Sequence, residues 1–136
     1  MPTRREIGYS EARGLVEAVA DRLEEEGRGA AVAVVDAHGE LVAFLRTDGC
    51  PFPSIKIATQ KAVTAARDRQ ESRALGDTAR REDFPLTNFG EIGYVGWGGG
   101  VPIEFEGEVI GALGISGLPE TEDMKLARWA VESFEA

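Results

Sequence analysis

The chain has 136 residues, 24 acidic against 15 basic, and a formal net charge of −9 at pH 7, a balance that turns it away from nucleic acid and anionic membrane surfaces. This length suits one domain, residues 1–136, with a core of its own. The single cysteine, Cys50, excludes an intramolecular disulfide and a one-chain thiolate metal cluster. Neither an apolar leader behind Arg4 and Arg5 nor a membrane-length apolar run stands in the sequence, so a reducing cytoplasm is the expected setting.

Ser10 is a good N-cap, and Ala12, Leu15, Val16, Val19 and Leu23 recur at helical spacing until Gly27, which predicts an amphipathic first helix. Ala30 to Val35 is a short, valine-rich apolar run bounded by turn formers: a buried strand. Asp36-Ala-His-Gly39 supplies a turn with His38 near its tip, and Leu41 to Leu45 returns as the partner strand. Arg46 and Asp48 close that strand, either as an ion pair ordering the loop or as groups facing a ligand. Cys50-Pro-Phe-Pro53 reads as a proline-restricted loop, and Ser54 as the cap of a helix whose buried face is mostly alanine: Ala58, Ala62, Ala65 and Ala66. Lys61 sits at the border of this small face. It either snorkels to water or holds an ammonium beside a pocket, ready for an anionic ligand group. Glu71 to Glu82 is charged and reads as a short exposed helix or a mobile connection, and Phe84 to Trp97 alternates glycine with aromatics, as in irregular loops exposing large rings. Those rings either cover the core or line a pocket mouth. Pro119 and Thr121 introduce a last helix with Met124, Ala127, Ala130, Val131 and Phe134 on its buried face.

The stretch Gly98 to Gly117 joins these elements. Three glycines and Val101-Pro102 lead into Ile103 and Phe105, Gly107 turns the chain, and Val109 to Ile115 runs back with Gly111 and Gly114 inside the strand. Glycines there remove side-chain packing, so a helix, a second backbone or a ligand must lie directly against that face. The order is α-β-β-α-(α)-β-β-α, an α+β sandwich with antiparallel hairpins. Gly96-Trp-Gly-Gly-Gly100 leads into a strand, whereas a phosphate cradle opens a helix. No zinc spacing, nucleophile elbow or dinucleotide fingerprint is present. His38 on its turn suits the surface, and Ser116 has no evident histidine partner.

Taken together, Ala33-Val-Val-Asp36, Arg46-x-Asp-Gly49, Ile57-Ala58-x-x-Lys61-Ala62-x-Thr64-Ala65, Gly98-Gly-Gly-Val-Pro-Ile103 and Gly107-x-x-Ile-Gly-Ala-Leu-Gly-Ile-Ser-Gly117 resemble the GlcG/HbpS family of haem-degrading domains. The resemblance implies a profilin-like or PAS-like three-layer α-β-α fold on a five-stranded antiparallel sheet, with homo-oligomers from dimers up to octamers. It also implies a small pocket between the lysine-bearing helix and the Gly-Gly-Gly-Val-Pro loop. The expected ligand-binding set is Arg46, Asp48, Lys61, Thr64, Trp97, Gly98, Gly99, Gly100, Val101, Pro102 and Ser116, with Lys61 also the candidate catalytic group and no metal site. Three readings follow: a domain binding, and in one version transforming, a small anionic metabolite; a haem-binding or haem-degrading carrier or sensor; and a structural oligomerisation module. Leu126 occupies the position where the family commonly carries a cysteine, and the candidates for ligating haem iron are His38, Cys50, Tyr94 and Met124.

Overall fold

Apolar periodicity becomes layers in the computed structural model, which describes residues 1–91 and 93–134. Its elements are α1 (Tyr9–Glu25), β1 (Ala31–Asp36), β2 (Leu41–Arg46), α2 (Phe52–Asp68), α3 (Ser72–Glu82), a 3-10 turn (Leu86–Phe89), β3 (Gly100–Phe105), β4 (Glu108–Ser116) and α4 (Glu120–Glu132). The four strands form one antiparallel sheet in the order β2-β1-β4-β3. The sheet therefore has four strands among the described residues, matching the chain order α-β-β-α-(α)-β-β-α, and not the five that the resemblance implied: residues 84–91 and 93–99 are a 3-10 turn and irregular loop.

Side-chain alternation along β1 divides the core. Val32 and Val34 face α1 and α4 in a cluster with Leu15, Val19, Leu113, Ile115 and Ala127, whereas Ala31, Ala33 and Val35 face α2 in a cluster of alanines. Helices thus cover both faces of the sheet, giving the α-β-α layering. The α2 layer is thin by composition. Gly114 on β4 is why it fits: a Cβ there would lie 2.1 Å from the carbonyl oxygen of Ala58 and 2.7 Å from the amide nitrogen of Ala62. At Gly111 the neighbour is different, the Val35 carbonyl oxygen at 2.5 Å and Ile7 at 2.9 Å. For both glycines the close neighbour is protein: the α2 backbone at Gly114, and the β1 backbone with Ile7 at Gly111.

Two helix starts differ from the sequence expectation. Helix α1 is capped at Gly8, whose N–H donates to Glu11 Oε1 at 3.0 Å, so Ser10 falls inside the helix. Helix α2 begins at Phe52 with Pro51 as its cap; Pro53 lies in the first turn, where its missing N–H would have no intrahelical partner in any case. Glu71 to Glu82 is a helix that buries Ser72, Leu75 and Gly76. On α4, Leu126 is buried together with Ala127 and Ala130, while Met124 and Val131 are half-buried and Phe134 follows the helix end.

Candidate functional site

The alanine face of α2 carries Lys61 straight into the protein. Only 2% of the residue is exposed, so the snorkelling expectation fails. Its ammonium donates to the Ile115 carbonyl at 2.9 Å and to Asp123 Oδ2 at 3.2 Å, across 62 residues of sequence. Asp123, also 2% exposed, stands in the first turn of α4 and accepts the Leu118 N–H on its other oxygen at 3.1 Å. Burial pushes the Asp123 carboxyl up and the Lys61 ammonium down, each opposed by attraction to its partner. One turn earlier on α4, Glu120 accepts the Gly98 N–H at 2.7 Å and pairs with Arg73 at 3.0 Å, which together hold its carboxyl below the usual carboxylate range.

The glycine loop closes around this pair. A Cβ on Gly98 would meet Met124 Sδ at 2.3 Å, one on Gly99 the Ile115 carbonyl at 2.5 Å and Lys61 Nζ at 3.0 Å, and one on Gly100 the Lys61 carbonyl at 2.2 Å. Gly99 also has φ +125°, a conformation that favours glycine. Gly100, Val101 and Pro102 belong to β3 and pair with Gly114, Leu113 and Ala112 of β4. Thr64, fully buried, donates its hydroxyl to the Gln60 carbonyl and accepts the Val95 N–H at 2.9 Å, which pins the aromatic loop onto α2. Gly98 to Pro102 and Thr64 therefore hold the walls and do not line the cavities.

Three cavities lie along α2. The first, of about 710 Å³, opens between α3 and the loop: Gly76, Ala79 and Gly96 are its small residues, Phe84, Tyr94 and Trp97 its rings, and Arg80 and Asp83 its charged ones. Tyr94 stacks on Phe89 with centroids 5.6 Å apart, and burial pushes its phenol up. The second, of about 430 Å³, is lined by Ser54, Ile57, Lys61, Trp97, Ser116 and Asp123 among others. A third holds Arg46, Asp48, Cys50 and Phe52 and meets the second only at Pro51. Arg46 and Asp48 are exposed and make no ion pair with each other among the described residues. Of the expected set, Lys61, Trp97 and Ser116 share a cavity, and Arg46 and Asp48 stand beside it.

Asp123, Glu120, Ser54, Arg80 and Phe84 were missed as site residues. The available signal for Asp123 was an acid three residues before the buried Leu126-Ala127 step of an amphipathic helix, the mirror of Lys61 at its alanine border. Elsewhere, Glu6, Asp36 and His38 bring donor atoms within 4.8 Å of one another beyond the first hairpin turn. There Asp36 accepts the His38 and Glu40 N–H groups and Glu6 accepts that of Ala37, bonds that order the turn. His38 is largely exposed, its Nδ1 3.1 Å from Glu6. Ile92, inside the aromatic tract, lies outside the described residues.

Residues 7–132 match the sequence profile described as haem degrading protein HbpS-like. A 15.0 kDa protein encoded in the dhaT-dhaS intergenic region of Citrobacter freundii is 33% identical over 132 residues, 94% of this chain and 92% of that protein. Protein GlcG of Escherichia coli K12 is 29% identical over 122 residues, 85% of each chain. Among solved structures, that of a PduOC:haem complex superposes with a TM-score of 0.85 at 27% identity, covering 93% of this chain and 94% of the other.

Proposed function

The chain belongs to the HbpS-like family of haem-degrading proteins, and from that membership we propose that it binds haem, as a carrier, in the aromatic cleft between α3 and the segments that carry Phe84, Tyr94 and Trp97. One observation carries the reading: a cleft of about 710 Å³ with three rings in its walls and small residues at Gly76, Ala79 and Gly96, within the roughly 300–1,000 Å³ span of ordinary ligand sites. The residues fit the group. Phe84, Tyr94 and Trp97 offer flat apolar surface to a macrocycle, half-exposed Arg80 donates one N–H to Asp77 at 2.6 Å and keeps others for a carboxylate side chain, and Tyr94 is the one lining residue of a type that ligates haem iron. Iron redox chemistry would come from the bound group; the chain's own part is to hold and orient it. The haem complex of the PduOC protein supports this reading by likeness.

A small anionic metabolite at Lys61 is the weaker alternative, because Asp123 already neutralises that ammonium at 3.2 Å. On this reading Lys61 acts by holding α2, β4 and α4 together. Haem titration of the full chain is expected to raise a Soret band that saturates at one equivalent. Trp97→Ala should weaken binding about ten- to a hundredfold, the loss of roughly 60–110 Å² of apolar contact at about 25 cal/mol per Å², and Tyr94→Phe should shift the band. A titration without a saturable Soret band would overturn the proposal.

We propose further that copies of the chain associate in the reducing cytoplasm, which the lone Cys50 suits. Trp97, Phe84 and Phe52 are 59%, 45% and 86% exposed, more ring surface than a domain of this size leaves uncovered. Light scattering should return a mass of at least twice 14.6 kDa; the single-chain mass at micromolar concentration would sink the idea. No helix among the described residues is long and apolar enough to cross a membrane.

A further inference from the structure

The cavity of about 430 Å³ beside the aromatic cleft shares Ile57 and Trp97 with it but has the opposite chemistry. Four polar residues of its wall, Ser54, Lys61, Ser116 and Asp123, are each more than nine-tenths buried. Their hydrogen bonds leave a surplus of donors. Ser116 Oγ donates to Ser54 Oγ at 3.1 Å; two hydroxyls carry two protons and this bond uses one, so the Ser54 proton has no acceptor among the described residues. Two of the three ammonium N–H groups of Lys61 go to Ile115 and Asp123, which leaves the third. Each Asp123 oxygen already has a donor, one from Lys61 and the other from the Leu118 N–H. A buried wall with unspent donors is matched by an incoming oxygen acceptor.

Charge decides which kind of oxygen. Lys61 and Asp123 cancel at 3.2 Å, and Glu120, on the same cavity, is cancelled by Arg73 at 3.0 Å. An anion would find no unneutralised cation and would lie near two carboxylates. Pro51, Pro53, Ile57, Trp97 and Leu118 make the rest of the lining apolar. We propose that this cavity binds a small neutral molecule whose carbonyl-type oxygen accepts from the Ser54/Ser116 hydroxyl pair, with a short apolar body against the prolines and Trp97. The two cavities have only Ile57 and Trp97 in common, and failure or success here leaves the haem reading standing.

Acetamide and acetate test it, being near-isosteric but neutral and anionic at pH 7. Each is titrated into the ¹⁵N-labelled full chain while amide shifts are followed. Saturable shifts at Gly117 and Leu118 are expected with acetamide, at roughly millimolar affinity for so small a probe, and acetate should bind at least about tenfold more weakly. Ser54→Ala and Ser116→Ala each keep one free hydroxyl and should change acetamide affinity less than about threefold, whereas the double variant should lose about tenfold or more. The fold of each variant is read from the dispersion of the same spectra. Acetate binding as tightly as acetamide, no saturable shift with either, or an unchanged affinity in a folded double variant would each overturn the proposal.

Discussion

Lys61→Met should destabilise the fold by about 3–5 kcal/mol, because it strands Asp123 as an uncompensated charge in a site with almost no access to water. For a domain of this length that corresponds to a fall of roughly 10–20 °C in Tm. The pH dependence separates this cause from simple loss of packing. Burial already raises the Asp123 carboxyl with Lys61 present. Without Lys61 the native state keeps a proton that the unfolded chain releases above about pH 4. Native protein then binds more protons than unfolded protein, so the stability of Lys61→Met falls as pH rises. Asp123→Asn has the opposite sign: the Lys61 ammonium is held down by burial, the unfolded chain binds more protons below about pH 10, and stability rises with pH. The double variant Lys61→Met/Asp123→Asn keeps an acceptor for the Leu118 N–H and should recover much of the loss. Urea unfolding at three pH values measures all of this. If Lys61→Met lay within about 1 kcal/mol of the parent at every pH, the pair would have no structural role.

The second large effect is expected at Gly114. Alanine there places a methyl group 2.1 Å from the Ala58 carbonyl and 2.7 Å from the Ala62 nitrogen, both backbone atoms of α2 that no rotamer change can move aside. The helix has to lift off the strand and loses contact along Ala58, Ala62 and Ala65, where short side chains cannot bridge a gap. About 3 kcal/mol, at the upper end of ordinary overpacking, is the expected cost. Gly14→Ala is the control with the opposite sign. That residue lies in α1 with open space where its Cβ would go, so alanine should stabilise by roughly 0.5–1 kcal/mol. Thermal unfolding of the two variants compares them directly. Equal stabilities for Gly114→Ala and the parent would show that α2 has room the geometry denies.

Both effects mark where sequence and structure meet. The pairing of a glycine-bearing strand with an alanine-faced helix was legible, because small residues on two elements have a single physical use when the elements touch. Periodicity likewise placed α1, both hairpins and α4. Proline in the first turn of α2 hid the true start at Phe52, since a missing N–H is harmful inside a helix and harmless at its opening. The site was read less well. Lys61 stood out at the border of its alanine face, but its partner Asp123 lies 62 residues away and nothing local reports a long-range ion pair. Thr64 matched a family segment, but the Val95 amide that it binds belongs to an irregular loop without periodicity. The fifth strand came from the resemblance alone and never from the residues.

The order β2-β1-β4-β3 also sets how the chain must assemble itself. Each hairpin, β1 with β2 and β3 with β4, closes through a short turn and forms on local contacts alone. The central ladder between β1 and β4 instead brings Ala31 to Ser116, at nearly opposite ends of the chain. That closure carries the largest entropy cost in the sheet and is rewarded only when α2, which lies between them in sequence, settles over both. Docking of the two hairpins under one helix is therefore the step expected to limit folding, and until it is complete the inner edges of β1 and β4 would stand unpaired and open to a neighbouring chain.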